Sequence, residues 1–332
     1  MNTEIIGTIS ETGLFDSDFS IMENAMELGI NYFRINLSKY RRQEDLYRIT
    51  SQLMLIKTKY KDDISFMLDL PIPRTKLRIY FDQKELNVKK GDLLLISADE
   101  EKKQTPGVLQ SNYSSEDLIN LFKLGDTVSY ADGEIFFDYR GQKYDQTILI
   151  EAKTDGVMEP GKAIVNLTTP YDYGHSTLDY TECIELLEPK SIALSFVQSS
   201  EDVIAVKNSI CEKVVPEIFS KIETKIGIFN SKKILEVSNV MLARGDLLMN
   251  CNPNEFYHLE KKFFECRKSK SENKVALATG VLESMRWKPI PSQADLIDLG
   301  IIGEYNPHYI IINYGLMKSQ HLKNAINIVK EE

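Results

Sequence analysis

The chain has few of the residues that build metal knuckles or disulfide scaffolds: four cysteines and four histidines in 332 residues. Cys183, Cys211, Cys251 and Cys266 are widely spaced and form no CxxC pair. That spacing excludes a zinc knuckle and a secreted disulfide framework. The start, Met1–Ile9, lacks a cationic segment followed by an apolar run, so no signal peptide is read. No apolar stretch approaches the ~20 residues needed to cross a bilayer. No Lys/Arg stripe is present, and 40 basic against 49 acidic residues leave a formal charge of −9. Nucleic acid is therefore not an expected partner. These absences predict a reduced, cytoplasmic chain without membrane contact.

What is present is ordinary globular material, 42% hydrophobic and 27% charged, enough apolar content to offset chain entropy. The length allows either two average domains or one α/β barrel with an addition. Short β-rich runs alternate with helical periodicity and favour the barrel. Strands are predicted at Glu4–Ser10, Tyr32–Leu37 and Ile64–Leu70. Asp16-Ser17-Asp18 is read as the cap of a helix with apolar Phe19, Met22, Ala25 and Met26, and Glu44–Tyr60 as a second helix. From about Phe81 to Val165 the rhythm becomes short β runs, Asp92–Ile96, Thr127–Tyr130, Glu134–Asp138 and Thr147–Ile150, with one helical interruption near Ser114–Phe122. The βα rhythm then resumes, with strands at Ser191–Val197, Pro216–Ile222, Asn239–Ala243, Lys274–Thr279 and His308–Asn313. Helices follow at Glu201–Ile210, Phe229–Val237, Asn254–Lys268, Ala294–Ile301 and Ser319–Glu331. Eight βα units predict an α/β fold: a TIM (β/α)8 barrel over 1–80 and 166–332, with an all-β lid domain, 81–165, inserted after the third strand.

In such barrels reactive groups sit at the C-terminal strand ends. Strand two ends in Arg34-Ile35-Asn36-Leu37-Ser38, whose period-two alternation puts the three polar groups on one side. Asp69 ends strand three, Lys221 and Glu223 strand five, Arg244 and Asp246 strand six, and Thr279 strand seven. Singly, each has a plainer reading: Arg34 a surface ion pair, Asp69 a cap, Glu223 and Asp246 structural partners of Lys221 and Arg244. Together they predict a site for a polyanion. Lysine and arginines neutralise phosphate or carboxylate, and two carboxylates without His or Cys suit Mg²⁺ or Mn²⁺. Phosphoryl transfer uses these parts, and so does enolate chemistry on a 2-oxo acid.

The motifs resemble those of the pyruvate kinase family, nearly throughout and in order. The matching segments are Tyr32–Ser38 (YFRINLS), Met67–Leu70 (MLDL), Phe219–Glu223 (FSKIE), Met241–Leu247 (MLARGDL) and Ala278–Pro289 (ATGVLESMRWKP). The segment with Ala131-Asp132-Gly133 sits where that family inserts its lid, expected to close over the mouth. The resemblance implies that Lys221 stabilises the phosphoryl group in transit, Glu223 and Asp246 hold Mg²⁺ (or Mn²⁺), and Thr279 serves proton delivery to the enolate. It implies substrate contacts from Arg34, the Ala243-Arg244-Gly245-Asp246 segment and Thr279, and places Asn36, Ser38 and Asp69 at a monovalent-cation site. Within Pro73–Ile79, Arg78 is the first choice for a second phosphate-binding arginine and Arg74 the second. Lys76 stands where some members carry a lysine in place of potassium, so K⁺ dependence is doubtful.

The departures fall on the nucleotide side. Lys39-Tyr40 replaces His-Gly, Leu248 a glycine, Gly280 a glutamine, and Asn313–Ser319 the SGETAKG loop. The chain stops at Glu332, after the eighth barrel helix, so control through the family's C-terminal domain is not expected. The first expectation is a pyruvate kinase-like phosphotransferase acting on phosphoenolpyruvate or pyruvate enolate with ADP/ATP. The second is a 2-oxo-acid transferase, lyase or aldolase with a non-nucleotide partner. The third is a non-catalytic metabolite-binding protein. A homo-oligomer formed through the barrel is possible, with Trp287 either a subunit contact or a plain surface aromatic. Met54, Met67, Met158 and Met241 are read as core filler, Lys268–Lys274 as a solvated loop, and the histidines receive no role.

Overall fold

The computed structural model describes residues 3–10, 19–40, 42–98, 107–131, 133–143, 147–168, 178–210, 216–266 and 272–331. In chain order it begins with β1 (Glu4–Ile9), α1 (Ser20–Glu27), β2 (Tyr32–Asn36), α2 (Gln43–Tyr60) and β3 (Ser65–Pro73). A run of short elements follows: β4 (Leu77–Tyr80), β5 (Leu86–Val88), β6 (Leu93–Ser97), β7 (Val108–Ser111), α3 (Ser115–Asn120), β8 (Thr127–Tyr130), β9 (Ile135–Lys143), β10 (Thr147–Ala152), β11 (Gly156–Met158) and β12 (Lys162–Asn166). The alternation resumes with α4 (Thr181–Leu187), β13 (Ser191–Ser195), α5 (Ser200–Ser209), β14 (Glu217–Ile222), α6 (Lys225–Val237), β15 (Asn239–Ala243), α7 (Arg244–Met249) and α8 (Phe256–Glu265). It closes with β16 (Val275–Ala278), α9 (Gln293–Tyr305), β17 (Tyr309–Ile312), α10 (Tyr314–Met317) and α11 (Leu322–Glu331).

Two compact units result, residues 1–73 with 178–332, and residues 74–177. In the first, eight parallel strands close in the order β1-β17-β16-β15-β14-β13-β3-β2. Strand β3 pairs directly with β13, Met67 beside Ser191 and Asp69 beside Ala193, so the insertion lies between consecutive barrel strands. This is the (β/α)8 barrel expected from the sequence. β13, β15, β16 and β17 are buried along their whole length, which is why they read as unbroken apolar runs.

Alternate residues fill the barrel interior: Ile6, Tyr32, Met67, Ala193, Phe219, Met241, Ala276, Tyr309 and Ile311 form its packed centre. The other parity packs against the helices, as Ile35, Leu68, Leu194, Ile222 and Leu242 do. Met67 and Met241 are fully buried, as their reading as core filler requires. Trp287 is 68% exposed.

The second unit is a closed barrel ordered β10-β6-β7-β4-β12-β8-β9, with a separate β5–β11 pair. Its core gathers Leu77, Ile79, Tyr130, Phe137, Ile148 and Ile164. Strands β4 and β12 pair with each other inside this unit, whereas the sequence boundaries at 80/81 and 165/166 put β4 and the end of β12 with the large barrel. β4 is only four residues long and carries candidate ligands, which hid it as a strand.

Other differences are local. The Asp16-Ser17-Asp18 cap lies outside the described residues, and α1 begins after Phe19, whose φ is 50°. Cys211, Asp132, His175 and residues 268–271 of the lysine-rich run also lie outside them. α4 went unread because it is a single amphipathic element of seven residues, packed on α2 through Cys183, Ile184 and Leu187. Among the described residues no helix is long and apolar enough to cross a membrane.

Candidate active site

The parity that fills the barrel turns polar at the C-terminal ends. Along β2 the inward series runs Tyr32, Arg34, Asn36; along β3 it runs Met67, Asp69; along β14 it runs Phe219, Lys221. The ladder sets Asn36 directly beside Asp69 and Lys221 beside Met241. Sequence reasoning therefore placed Arg34, Asn36, Asp69 and Lys221 correctly on one face. It missed Thr8, which shares the parity of Ile6 on β1 and lies 3.3 Å from an Arg34 Nη. Alternation along β1 was the available signal.

These side chains form one charge network. Arg34 Nε donates to Asp69 Oδ2 at 2.9 Å, and a second guanidinium nitrogen donates to the same oxygen. Lys221 Nζ lies 3.1 Å from the other Asp69 oxygen and 3.2 Å from Glu223 Oε1. Asp69 and Glu223 are fully buried and Lys221 nearly so. Burial alone would raise the Asp69 pKa, but Lys221 and Arg34 outweigh it and hold the carboxyl below its usual range. Burial would likewise discharge Lys221, yet Asp69 and Glu223 keep the ammonium charged and its pKa raised.

Glu223 follows β14 and is fixed by the backbone of Phe196, whose N–H donates to Oε2 at 2.6 Å. Phe196 reaches it by turning left-handed after β13, with φ 52°. Burial, opposed by Lys221 and reinforced by the hydrogen-bonded Asp246 carboxyl, pushes Glu223 up to about 8. Buried Glu223 and half-buried Asp246 facing each other suit a divalent cation, which removes the repulsion. The donors are all oxygen, and no group of three or more His, Cys, Asp or Glu is assembled among the described residues. Such a pair fits Mg²⁺ or Mn²⁺ completed by water and substrate oxygens better than an all-protein cage.

The raised value has a consequence for stability. Folding favours protonated Glu223, because its folded value of about 8 lies above the ordinary 4.5. The contribution is complete below about pH 4.5 and is lost as pH rises through about 8. In EDTA the thermal midpoint is expected to fall across that window, and Glu223→Gln to flatten the fall. A wild-type midpoint that climbs steadily through the window, with Glu223→Gln behaving alike, would refute this environment for Glu223.

Two expectations change. Ser38 does not extend the strand: β2 ends at Asn36, whose Oδ1 accepts from the Ser38 N–H at 3.0 Å and from its hydroxyl at 2.7 Å, capping the 3₁₀ turn Leu37–Lys39. The alternation over 34–38 thus stops two residues short. The Arg244 guanidinium, expected in the mouth, points into the helix layer. It binds Asp298 through two nitrogens at 2.5 and 2.8 Å, lies 3.4 Å from Glu260, and donates through Nε to the Thr279 carbonyl at 2.8 Å. Two acidic partners on α8 and α9 outcompete the solvated mouth. Asn36 stands beside Asp69 on the ladder and accepts from Ser38, while Asp69 is bonded to Arg34 and Lys221, so the three residues lie together at the ends of β2 and β3.

Arg78 belongs to the second unit, where a guanidinium nitrogen donates to the Gly161 carbonyl at 2.8 Å and its main-chain N–H donates to Asn112. Thr279 follows β16 with φ 76° and is an exposed residue. A β-branched residue at such a φ is strained by about 1–3 kcal/mol. Gly245 makes room for it: a Cβ there would lie 3.0 Å from the Thr279 methyl. Ala243 closes β15 and, with Arg244, Gly245 and Asp246, starts α7 beside Thr279.

The chain is similar to known proteins along most of its length. The model of the pyruvate kinase barrel domain matches residues 1–302. Pyruvate kinase of Thermotoga maritima is 28% identical over 304 residues, covering 90% of this chain and 63% of that protein. Pyruvate kinase of Lactococcus lactis is 27% identical over 286 residues, covering 82% and 56%. The chain thus spans only between half and two thirds of these relatives. The crystal structure of pyruvate kinase from Pyrobaculum aerophilum matches with a TM-score of 0.73 at 19% identity, over 99% of this chain and 72% of that one, a likeness of fold.

Proposed function

The chain belongs to the pyruvate kinase family, and from that premise we propose that it transfers a phosphoryl group between phosphoenolpyruvate and ADP. The observation that carries this reading is Lys221, a buried ammonium held charged between Asp69 and Glu223 at the barrel mouth. A fixed cation in a desolvated site stabilises the charge that spreads over a phosphoryl group in flight. Arg34, anchored by Asp69 and Thr8, orients the phosphate before transfer.

Glu223 and Asp246 would hold Mg²⁺ or Mn²⁺. Bound there, the ion would supply charge neutralisation to the phosphoryl group being transferred. In the forward direction the bond from phosphorus to the enol oxygen breaks as one to the ADP terminal oxygen forms. The enolate left behind takes a proton at carbon, and Thr279, an exposed residue following β16, is the group we assign to that delivery. No step is routed through potassium.

A coupled assay with phosphoenolpyruvate, ADP, Mg²⁺ and lactate dehydrogenase tests the proposal. Mg²⁺-dependent NADH oxidation is expected, and its absence in folded protein overturns the ADP reaction. Asp246→Asn is expected to raise the Mg²⁺ requirement at least about tenfold.

A second reading, a non-nucleotide acceptor, is favoured by one corner of the mouth. Asn313 caps α10 and binds Glu283, which also holds Arg286, and the Arg286 guanidinium lies over Gly315. The corner that replaces the family's nucleotide-side loop is thus closed by its own bonds. Calorimetry with ADP and with ATP separates the readings, because Mg²⁺-dependent nucleotide binding removes the motive for the second.

A further inference from the structure

We propose that Asp298, supported by Glu260, is a positioning residue that sets the Thr279 hydroxyl by way of Arg244. The inference rests on the proposed phosphotransfer for its kinetic readout, though not for its structural one. Thr279 occupies a left-handed conformation that a threonine avoids. Such strain persists only where the surroundings over-determine it. Here the restraint is identifiable.

The Thr279 carbonyl is held by Arg244 Nε at 2.8 Å. Rotation of Thr279 toward an ordinary φ would swing that carbonyl off the guanidinium. Arg244 cannot follow, because its other nitrogens are clamped on Asp298 in a bidentate fork and approached by Glu260. Arg244 and Glu260 are both buried, and Asp298 closes the clamp from the rim with its side chain 28% exposed.

Two glycines complete the fit. A Cβ on Gly280 would lie 3.3 Å from the Arg244 guanidinium, and one on Gly245 3.0 Å from the Thr279 methyl. The guanidinium thus presses against the main chain at Gly280, while the start of α7 presses against the threonine side chain. Asp298 sits on α9, in the outer helix ring, and touches no group proposed to meet substrate. Its connection to the mouth passes through Arg244.

The test is a double-mutant cycle of Asp298→Ala and Thr279→Ala, with Asp298→Glu as the conservative variant. Asp298→Ala is expected to lower kcat about 10–100-fold, with KM for phosphoenolpyruvate changed less than threefold. The same change made in the Thr279→Ala background should cost almost nothing further, and Asp298→Glu should recover most of the loss. A purely structural role would give additive losses, and additive losses overturn the proposal.

Should the wild type lack phosphotransfer, hydrogen exchange reads the same point without substrate. Asp298→Ala should accelerate amide exchange at residues 279–282 beyond Leu299→Ala, a core control on the same helix. Equal acceleration in the two variants refutes the positioning role, independently of what reaction the mouth performs.

Discussion

Lys221→Met is expected to lower phosphoryl transfer by at least about 10³-fold, the scale set by removal of a transition-state cation. The variant should stay folded. Asp69 keeps its two contacts from Arg34, and Glu223, already pushed up to about 8, becomes protonated instead of remaining as a stranded charge. The stability loss should be about 1–3 kcal/mol, within the usual range for single substitutions. Steady-state kinetics beside a circular-dichroism melt check both halves. Turnover within tenfold of wild type would sink the phosphotransfer assignment, since Lys221 is the cation held between Asp69 and Glu223.

Arg244→Met is expected to have the largest effect on stability. It strands Glu260, which burial and the neighbouring Asp298 charge push up against the pull of Arg244. It also removes the bidentate partner of Asp298 and the donor to Thr279. Breaking a buried ion-pair network from one side costs about 3–5 kcal/mol. In a unit of this size the thermal midpoint should drop on the order of 10 °C. The triple change Arg244→Met, Glu260→Gln, Asp298→Asn should recover much of that loss, because no charge is then left without a partner. A melt of Arg244→Met within two degrees of wild type would mean that the network carries little stability.

The two substitutions separate what was readable in the chain from what was not. Lys221 and Asp69 could be found by counting in twos along an apolar strand, and the same count recovers Thr8 on β1. The eight strands were readable because parallel strands covered on both faces must be apolar throughout. Bounds drifted at the ends, where a cap or a bulge decides: β2 stops when Asn36 bonds Ser38, and β13 shifts register after Leu194, where the Ser195 hydroxyl reaches the Leu70 carbonyl. In the inserted unit β5 and β11, three residues each, carry too few alternations to show a period.

The amino-acid sequence alone determined the barrel, the place of the insertion and the ring of Arg34, Asp69, Lys221, Glu223 and Asp246. Those features are set by short-range periodicity and by the rule that strand C-termini share one end. Only the tertiary structure decided where Arg244 points, that Ser38 turns back to Asn36, and that Thr279 is held left-handed. The first and last depend on partners 16 to 54 residues apart in sequence, Glu260 and Asp298 for Arg244 and Arg244 for Thr279, whereas the Ser38 turn is a two-residue bond that strand alternation does not encode. No local pattern encodes which of two competing partners, the solvated mouth or the carboxylates of Glu260 and Asp298, an arginine will choose. The choice follows from desolvation: once the helices bury Glu260 against that layer, the guanidinium must stay there to neutralise it.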